Sequence, residues 1–201
     1  VDLFEAPQSP IELGLDGADA WIVPDYIADH QALAETLFQE LDWQQPEVQV
    51  YGRRHKTPRM VCFYGDQNVT YRYSGLRHRA LGWPPLLQQL RDRLHTDWGL
   101  RFNAVLCNAY RNGEDRMGWH SDNEAELGDE PSLASISLGA ERRFCWRRIQ
   151  ASGFGPSRPM VLTGGSLLWM GRGLQTNWQH SLPQQKTCTE LRVNLTFRLI
   201  R

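Results

Sequence analysis

From Phe102 to the C-terminus, short runs rich in β-branched and aromatic residues alternate with Gly, Pro and Asp turns: FNAVLCNAY, LASISLGA, RRFCWRR, MVLTGG, SLLWMG, NWQHSL and LRVNLTFRLI. Strands this short and this closely spaced point to an all-β sandwich or barrel. The last run adds a second constraint. In an extended strand alternate residues face the same side. Arg192, Asn194, Thr196 and Arg198 therefore share one face, and Leu191, Val193, Leu195 and Phe197 the other. A solvent-exposed face would explain the polar set with no function at all. Inside a barrel, two inward guanidinium groups would need anionic partners.

The chain before Phe102 reads differently. ADHQALAETLFQELDW carries Leu33, Leu37, Phe38 and Leu41 at helical spacing, with Asp29 placed to cap it. PPLLQQLRDRLHTDWG reads as a second amphipathic helix with Pro at its start and Gly at its end. IELGLDGADAWIVPDYI suggests two short strands around an Asp-Gly turn, and PEVQVYGRRHKTPRMVCFYGD two strands joined by a basic turn. The first ten residues look like a loose arm. With no repeats and no low-complexity linker, residues 1–201 read as a single domain. Helices and hairpins fill 1–100 and the β core fills 101–201. The expected class is mainly β with flanking helices.

A formal net charge of −1 gives no global case for a nucleic-acid partner. Local clusters do: GRRHKTPR (52–59), GLRHR (75–79) and ERRFCWRR (141–148) interleave basic residues with others, in part aromatic. The cysteines, Cys62, Cys107, Cys145 and Cys188, form no C-x-x-C pair and read as structural thiols of a reducing compartment. There is no apolar run of transmembrane length and no signal-peptide pattern, so a cytoplasmic protein without a membrane partner is expected.

GWHSDNE, residues 118–124, places His120, Asp122 and Glu124 at every second position. On a strand all three would point one way. A His-x-Asp alone is weak evidence, because a surface strand or a local hydrogen bond explains it equally. The context is His180, in NWQHSLP at the end of a strand-like run. Two imidazoles and one carboxylate make the facial triad that holds Fe(II) while leaving positions open for a co-substrate and dioxygen. Zinc accepts the same ligands. A dicarboxylate could chelate such a metal at one end and meet a planar arginine fork at the other.

NAYRNGEDRMGWHSDNE, SISLGAERRF, GSLLWM, WQHSLP and RVNLTFR, taken together and in this order, closely resemble the AlkB family of Fe(II)- and 2-oxoglutarate-dependent nucleic-acid dealkylating dioxygenases. The resemblance runs from about Val48 to Arg201. PRMVCFYGD and YRYSGL also resemble the base-recognition region of the subset acting on double-stranded DNA. The resemblance implies a double-stranded β-helix, or jelly roll, with an N-terminal base-recognition region. It implies His120, Asp122 and His180 as iron ligands, and Asn108, Tyr110, Arg192, Asn194 and Arg198 around 2-oxoglutarate, with Arg192 on the distal carboxylate. Tyr73 would stack on the target base against His120, Tyr71 would hydrogen-bond it, and Glu124 would read its exocyclic amine. Arg53, Arg54 and Lys56, with Arg59, would meet phosphates or substrate, and Tyr51 would act as a wedge in the base stack. Asn123 stands where close relatives often carry an acid, which leaves base selectivity open.

The implied activity is oxidative demethylation of 1-methyladenine and 3-methylcytosine in single- or double-stranded DNA by a monomeric enzyme using Fe(II), 2-oxoglutarate and O2. An RNA demethylase with the same chemistry, a protein or small-molecule hydroxylase on the same fold, and a binding module without catalysis are the alternatives.

Overall fold

The structure is a computed structural model that describes residues 9–50, 53–73 and 76–201. The N-terminal half contributes β1 (Ile11–Glu12), β2 (Ala20–Val23), helix α1 (His30–Glu40), β3 (Glu47–Val50), β4 (Arg53–Lys56), β5 (Met60–Gly65), β6 (Thr70–Tyr73), β7 (Leu76–Arg79) and helix α2 (Pro85–Trp98). The remainder forms β8 (Ala104–Tyr110), β9 (Met117–His120), β10 (Leu133–Gly139), β11 (Arg142–Gln150), β12 (Gly153–Phe154), β13 (Arg158–Leu162), β14 (Leu167–Met170), the short helix α3 (Leu174–Asn177), β15 (Trp178–Leu182) and β16 (Arg192–Arg198).

Two antiparallel sheets face each other. The major sheet has the order β1-β2-β14-β10-β16-β8-β5, and the minor sheet β12-β11-β15-β9 with β13 also paired to β11. Strands of the N-terminal half, β1, β2 and β5, thus complete the sheet built on the C-terminal half. β3–β4 and β6–β7 are separate two-stranded pairs. The stretch 46–66 therefore holds three strands instead of the expected two, and Arg53, Arg54 and Lys56 lie on a strand, not in a turn. The turn itself, with Tyr51, lies outside the described residues.

Both expected helices form. In α1, Asp29 occupies the N-cap position but its side chain makes no capping hydrogen bond. In α2, Gly99 closes the C-terminus at φ 68, a left-handed conformation that glycine adopts without a Cβ clash. Leu33, Ala34 and Leu37 of α1, and Leu87, Leu90 and Leu94 of α2, belong to one core with Val193, Leu195 and Phe197 of β16. The opposite face of β16 is the polar one, and both are buried. Fully burying each Leu or Phe contributes about 1.5–3 kcal/mol. A one-residue slip of β16 would drive its arginines into this apolar layer, so the register that aims them between the sheets is strongly specified. Among the described residues, no helix is long and apolar enough to cross a membrane.

Candidate metal and co-substrate site

One cavity between the sheets is lined by His120, Asp122 and His180, by Asn108 and Tyr110 of β8, and by Arg192, Asn194, Thr196 and Arg198 of β16. The pairing of strands explains the convergence. His120 on β9 and His180 on β15 are register partners, and their rings lie 4.2 Å apart between centroids. β8 and β16 pair with Asn108 opposite Asn194 and Tyr110 opposite Arg192.

The three residues of GWHSDNE are not on one strand. β9 ends at His120, and residues 121–124 have irregular backbone. Asp122 is buried and reaches the histidines from the loop, while Glu124 leads into a short helical turn, Ala125–Leu127. The expected alternation along a strand is thus corrected, although the ligand atoms still meet. One donor atom from each of His120, Asp122 and His180 lies within 4.8 Å of the others. They form the one such His/Cys/Asp/Glu group among the described residues.

The protonation pattern suits a cation. His120 Nδ1 lies 2.9 Å from the Gly118 carbonyl, which can only accept, so Nδ1 carries the proton and Nε2 keeps its lone pair. Burial, and then the neighbouring His180 ring, push His120 down to about 4, so it is neutral at pH 7. Burial opposes ionisation of Asp122, but Arg198 and the two histidines outweigh it and hold the carboxyl well below the usual carboxylate range. Arg198 Nη2 donates to Asp122 Oδ1 at 2.7 Å, and Oδ2 faces His180 Nε2 at 3.5 Å. Electron-pair donors that face one another this way fit a divalent metal ion.

Arg192 is the second electrostatic feature. It is 2% exposed, and Nη2 donates to Ser137 Oγ at 2.9 Å while Nε has no partner. Among the described residues its charged neighbours include no acid: the phenol of Tyr110 and the guanidinium of Arg142 are what it meets, and burial pushes it down to about 10. A buried guanidinium without a carboxylate asks for an anionic ligand.

Other expected residues take more specific places. Asn194 is committed within the protein: Nδ2 donates to Ser135 Oγ and the Ile136 carbonyl, and Oδ1 accepts from Thr196 Oγ1. Arg59 is 6% exposed and its Nε donates to Asn108 Oδ1 at 3.0 Å. A passing phosphate has little access to so buried a group, whose partner Asn108 lines the cavity. Arg198 meets Asp122 directly, beside the expected cofactor cavity that it lines. Tyr71 is fully buried, stacked on Phe63 at 5.7 Å between centroids. Burial raises its phenol well above the usual range, and Arg198 opposes that while Asp122 and Glu124 add to it. Glu124 is also pushed up, by burial and by Asp122. Tyr71, Glu124, Asp122 and Arg198 are thus one electrostatic group. Tyr73 lies on β6, but its side chain is outside the described residues, as are those of Arg53 and Arg54.

The cluster ERRFCWRR is not a uniform basic face. Arg142 is fully buried and donates to the carbonyls of Asn112, Asp115 and Pro183. Arg147 lies over the rings of Trp119 and Phe154, and Arg148 pairs with Asp16. The four cysteines are free, and Cys62, Cys107 and Cys145 are buried. Ser135 and Ser137 escape sequence reasoning about the site, although SIS in LASISLGA alternates two hydroxyls on the sheet face shared with the polar stripe of the adjacent β16.

The model of the 2OG-Fe(II) oxygenase superfamily matches residues 20–198. DNA oxidative demethylase ALKBH2 of Homo sapiens is 41% identical over 182 residues, covering 85% of this chain and 70% of that protein. The Bos taurus ALKBH2 is also 41% identical over 182 residues, and this chain spans 66% of its length. The solved structure of OsALKBH1 superposes with a TM-score of 0.61 over 95% of this chain and all of that one, at 15% identity, a likeness of fold. With the jelly roll, the triad and this match, the chain belongs to the 2OG-Fe(II) oxygenase superfamily and, within it, to the AlkB family of Fe(II)- and 2-oxoglutarate-dependent dioxygenases.

Proposed function

We propose that this chain is a DNA oxidative demethylase acting on 1-methyladenine and 3-methylcytosine. The observation that carries the chemistry is one cavity holding both the His120–Asp122–His180 group and a buried Arg192 with no acid partner. Similarity to proteins named DNA oxidative demethylase supports the substrate class. Fe(II) with 2-oxoglutarate and O2 supplies the oxidation that converts N–CH3 to N–CH2OH, with succinate and CO2 as co-products, and loss of formaldehyde frees the base.

The residues have distinct tasks. His120, Asp122 and His180 would hold the iron. Arg192 takes the distal carboxylate of 2-oxoglutarate, with Tyr110 and Ser137 bracing its fork. Arg59 engages Asn108 Oδ1, which turns the amide NH2 of Asn108 towards other partners. Asn194 keeps β16 and β10 aligned beneath the co-substrate. Arg198 holds Oδ1 of Asp122, so Oδ2 would remain available to a metal ion. Glu124 accepts from the exocyclic amine of the base, and Tyr71 sets the orientation of Glu124 from below. Tyr73 stacks on the base. Arg53, Arg54 and Lys56, whose backbone forms β4, meet phosphates.

A base inside a duplex must be flipped out to reach the iron. Tyr51 fills the vacated stack as a wedge. Tyr51→Ala is expected to slow repair of methylated double-stranded DNA well beyond any effect on single-stranded DNA, since unstacking costs a few kcal/mol only in the duplex. Equal losses on both substrates would leave Tyr51 a hairpin residue. The function itself is tested by mass spectrometry of oligonucleotides carrying 1-methyladenine or 3-methylcytosine, as single- and double-stranded DNA and RNA, after incubation with Fe(II) and 2-oxoglutarate. Loss of one CH2 unit from the mass of the oligonucleotide marks demethylation. RNA turned over in preference to DNA would transfer the assignment to an RNA demethylase.

A further inference from the structure

Asp122 lies beyond the end of β9, so its backbone N–H has no strand partner. A buried N–H must still find an acceptor. Its acceptor is Gln175 Oε1, at 2.9 Å. Gln175 is 4% exposed and sits on α3, the turn that leads into β15 and His180. Because the backbone N–H can only donate, the side-chain oxygen of Gln175 is the end that faces Asp122. Its Nε2 then meets the Met170 sulfur at 3.9 Å, a weak acceptor. The preceding residue ties in the same direction, with Ser121 Oγ donating to the Trp178 carbonyl at 2.8 Å.

These two bonds are additional to the His120–His180 pairing of β9 and β15. They fasten the loop that carries Asp122 to the segment that carries His180. Arg198 restrains the carboxylate of Asp122 and Gln175 restrains its backbone. We infer that Gln175 is a positioning residue of the metal centre, and that its acceptor oxygen sets the affinity of the site for a divalent metal ion. The inference rests on the reading of His120, Asp122 and His180 as metal ligands.

Loss of the acceptor would leave the Asp122 N–H buried and unsatisfied, in a loop with no ladder to hold it. The loop would shift to recover a partner and carry Asp122 Oδ2 away from His180 Nε2. Removing such an outer partner of a metal ligand typically lowers metal affinity by about 10–100-fold.

The test is Mn(II) binding to the full chain, read as free Mn(II) by electron paramagnetic resonance, beside thermal unfolding of the metal-free protein. Gln175→Met keeps the volume and removes the acceptor, and should raise the Kd for Mn(II) by about 10-fold or more. Gln175→Glu keeps an acceptor oxygen and should stay within about threefold of the original protein, well short of the loss expected for a missing outer partner. A purely structural role would lower the melting temperature and leave the Kd unchanged. Unaltered Mn(II) binding by Gln175→Met, or equal weakening in both variants, would overturn the inference. Should Gln175→Met not fold, Gln175→Asn, one methylene too short to reach, carries the same expectation. The metal reading is checked apart from this, because it alone fails if the original protein and His180→Ala bind Mn(II) equally.

Discussion

Asp122→Asn is expected to abolish demethylation while the protein stays folded, and Asp122→Ala to lose activity and stability together. The difference follows from what Asp122 does besides facing the histidines. Asp122 and Arg198 are 3% and 2% exposed and joined by a 2.7 Å hydrogen bond. Removing one member of a buried ion pair leaves an uncompensated charge and costs about 3–5 kcal/mol. An amide keeps an oxygen for Arg198, so Asp122→Asn retains part of the interaction. It still gives up the anionic ligand of the two-histidine, one-carboxylate triad, and turnover should fall to the level seen without protein. A difference of about 2 kcal/mol between the variants corresponds to a melting-temperature gap of roughly 4–8 °C in a chain of this size. Formaldehyde release and thermal unfolding of the two variants check both halves. Full activity in Asp122→Asn would remove Asp122 from the ligand set. Equal melting temperatures would mean that Arg198 is neutralised by something other than this carboxylate.

The same residue shows how far sequence reasoning reaches. The polar stripe of β16 was legible because a strand has a period of two and both of its faces are buried. Once Arg192 and Arg198 are known to point inwards, an anionic site follows from the cost of burying charge. The identities of the triad were legible as residue types that bind metals. Its geometry was not. The spacing of His120, Asp122 and Glu124 suggests one strand, whereas β9 stops at His120 and leaves Asp122 to an irregular loop. What holds that loop comes from 53 positions away in Gln175 and 76 in Arg198, and no local pattern announces either partner.

Basic clusters show the same limit. Arg59 stands within GRRHKTPR and Arg142 within ERRFCWRR, and both look like surface charge in sequence. Each is buried by long-range partners instead, Asn108 for Arg59 and three backbone carbonyls for Arg142. A run of like residues thus separates into pocket, structural and surface members only when the sheet pairing is known. The hairpin around residues 51–52 was legible, but the extent of its basic turn was not, for a related reason. RRHK carries charge without hydrophobic alternation, so it resembles a turn, yet its backbone pairs residue by residue with Glu47–Val50.

Arg192→Lys is expected to raise the KM for 2-oxoglutarate by about 10–100-fold, since a charge-assisted hydrogen bond contributes about 1.5–3 kcal/mol and each 1.4 kcal/mol is tenfold. The guanidinium presents a planar fork that can meet both oxygens of a carboxylate, whereas an ammonium is a point charge with no matching edge. Its surroundings sharpen the loss. Arg192 is fully enclosed, pushed down to about 10 by burial, and near the cation of Arg142. A lysine there starts from a lower intrinsic value, and the same burial and the same neighbouring cation favour its neutral form. The remote carboxylate makes contacts that are similar in the ground and transition states, so kcat at saturating 2-oxoglutarate should change far less than KM. Steady-state assays over a range of 2-oxoglutarate concentrations separate the two constants. Arg198→Lys is the informative contrast, because Arg198 acts on Asp122 and its loss should appear in metal binding first. If Arg192→Lys leaves the KM unchanged while Arg198→Lys raises it, the distal carboxylate belongs to Arg198 and the buried charge of Arg192 needs another anion.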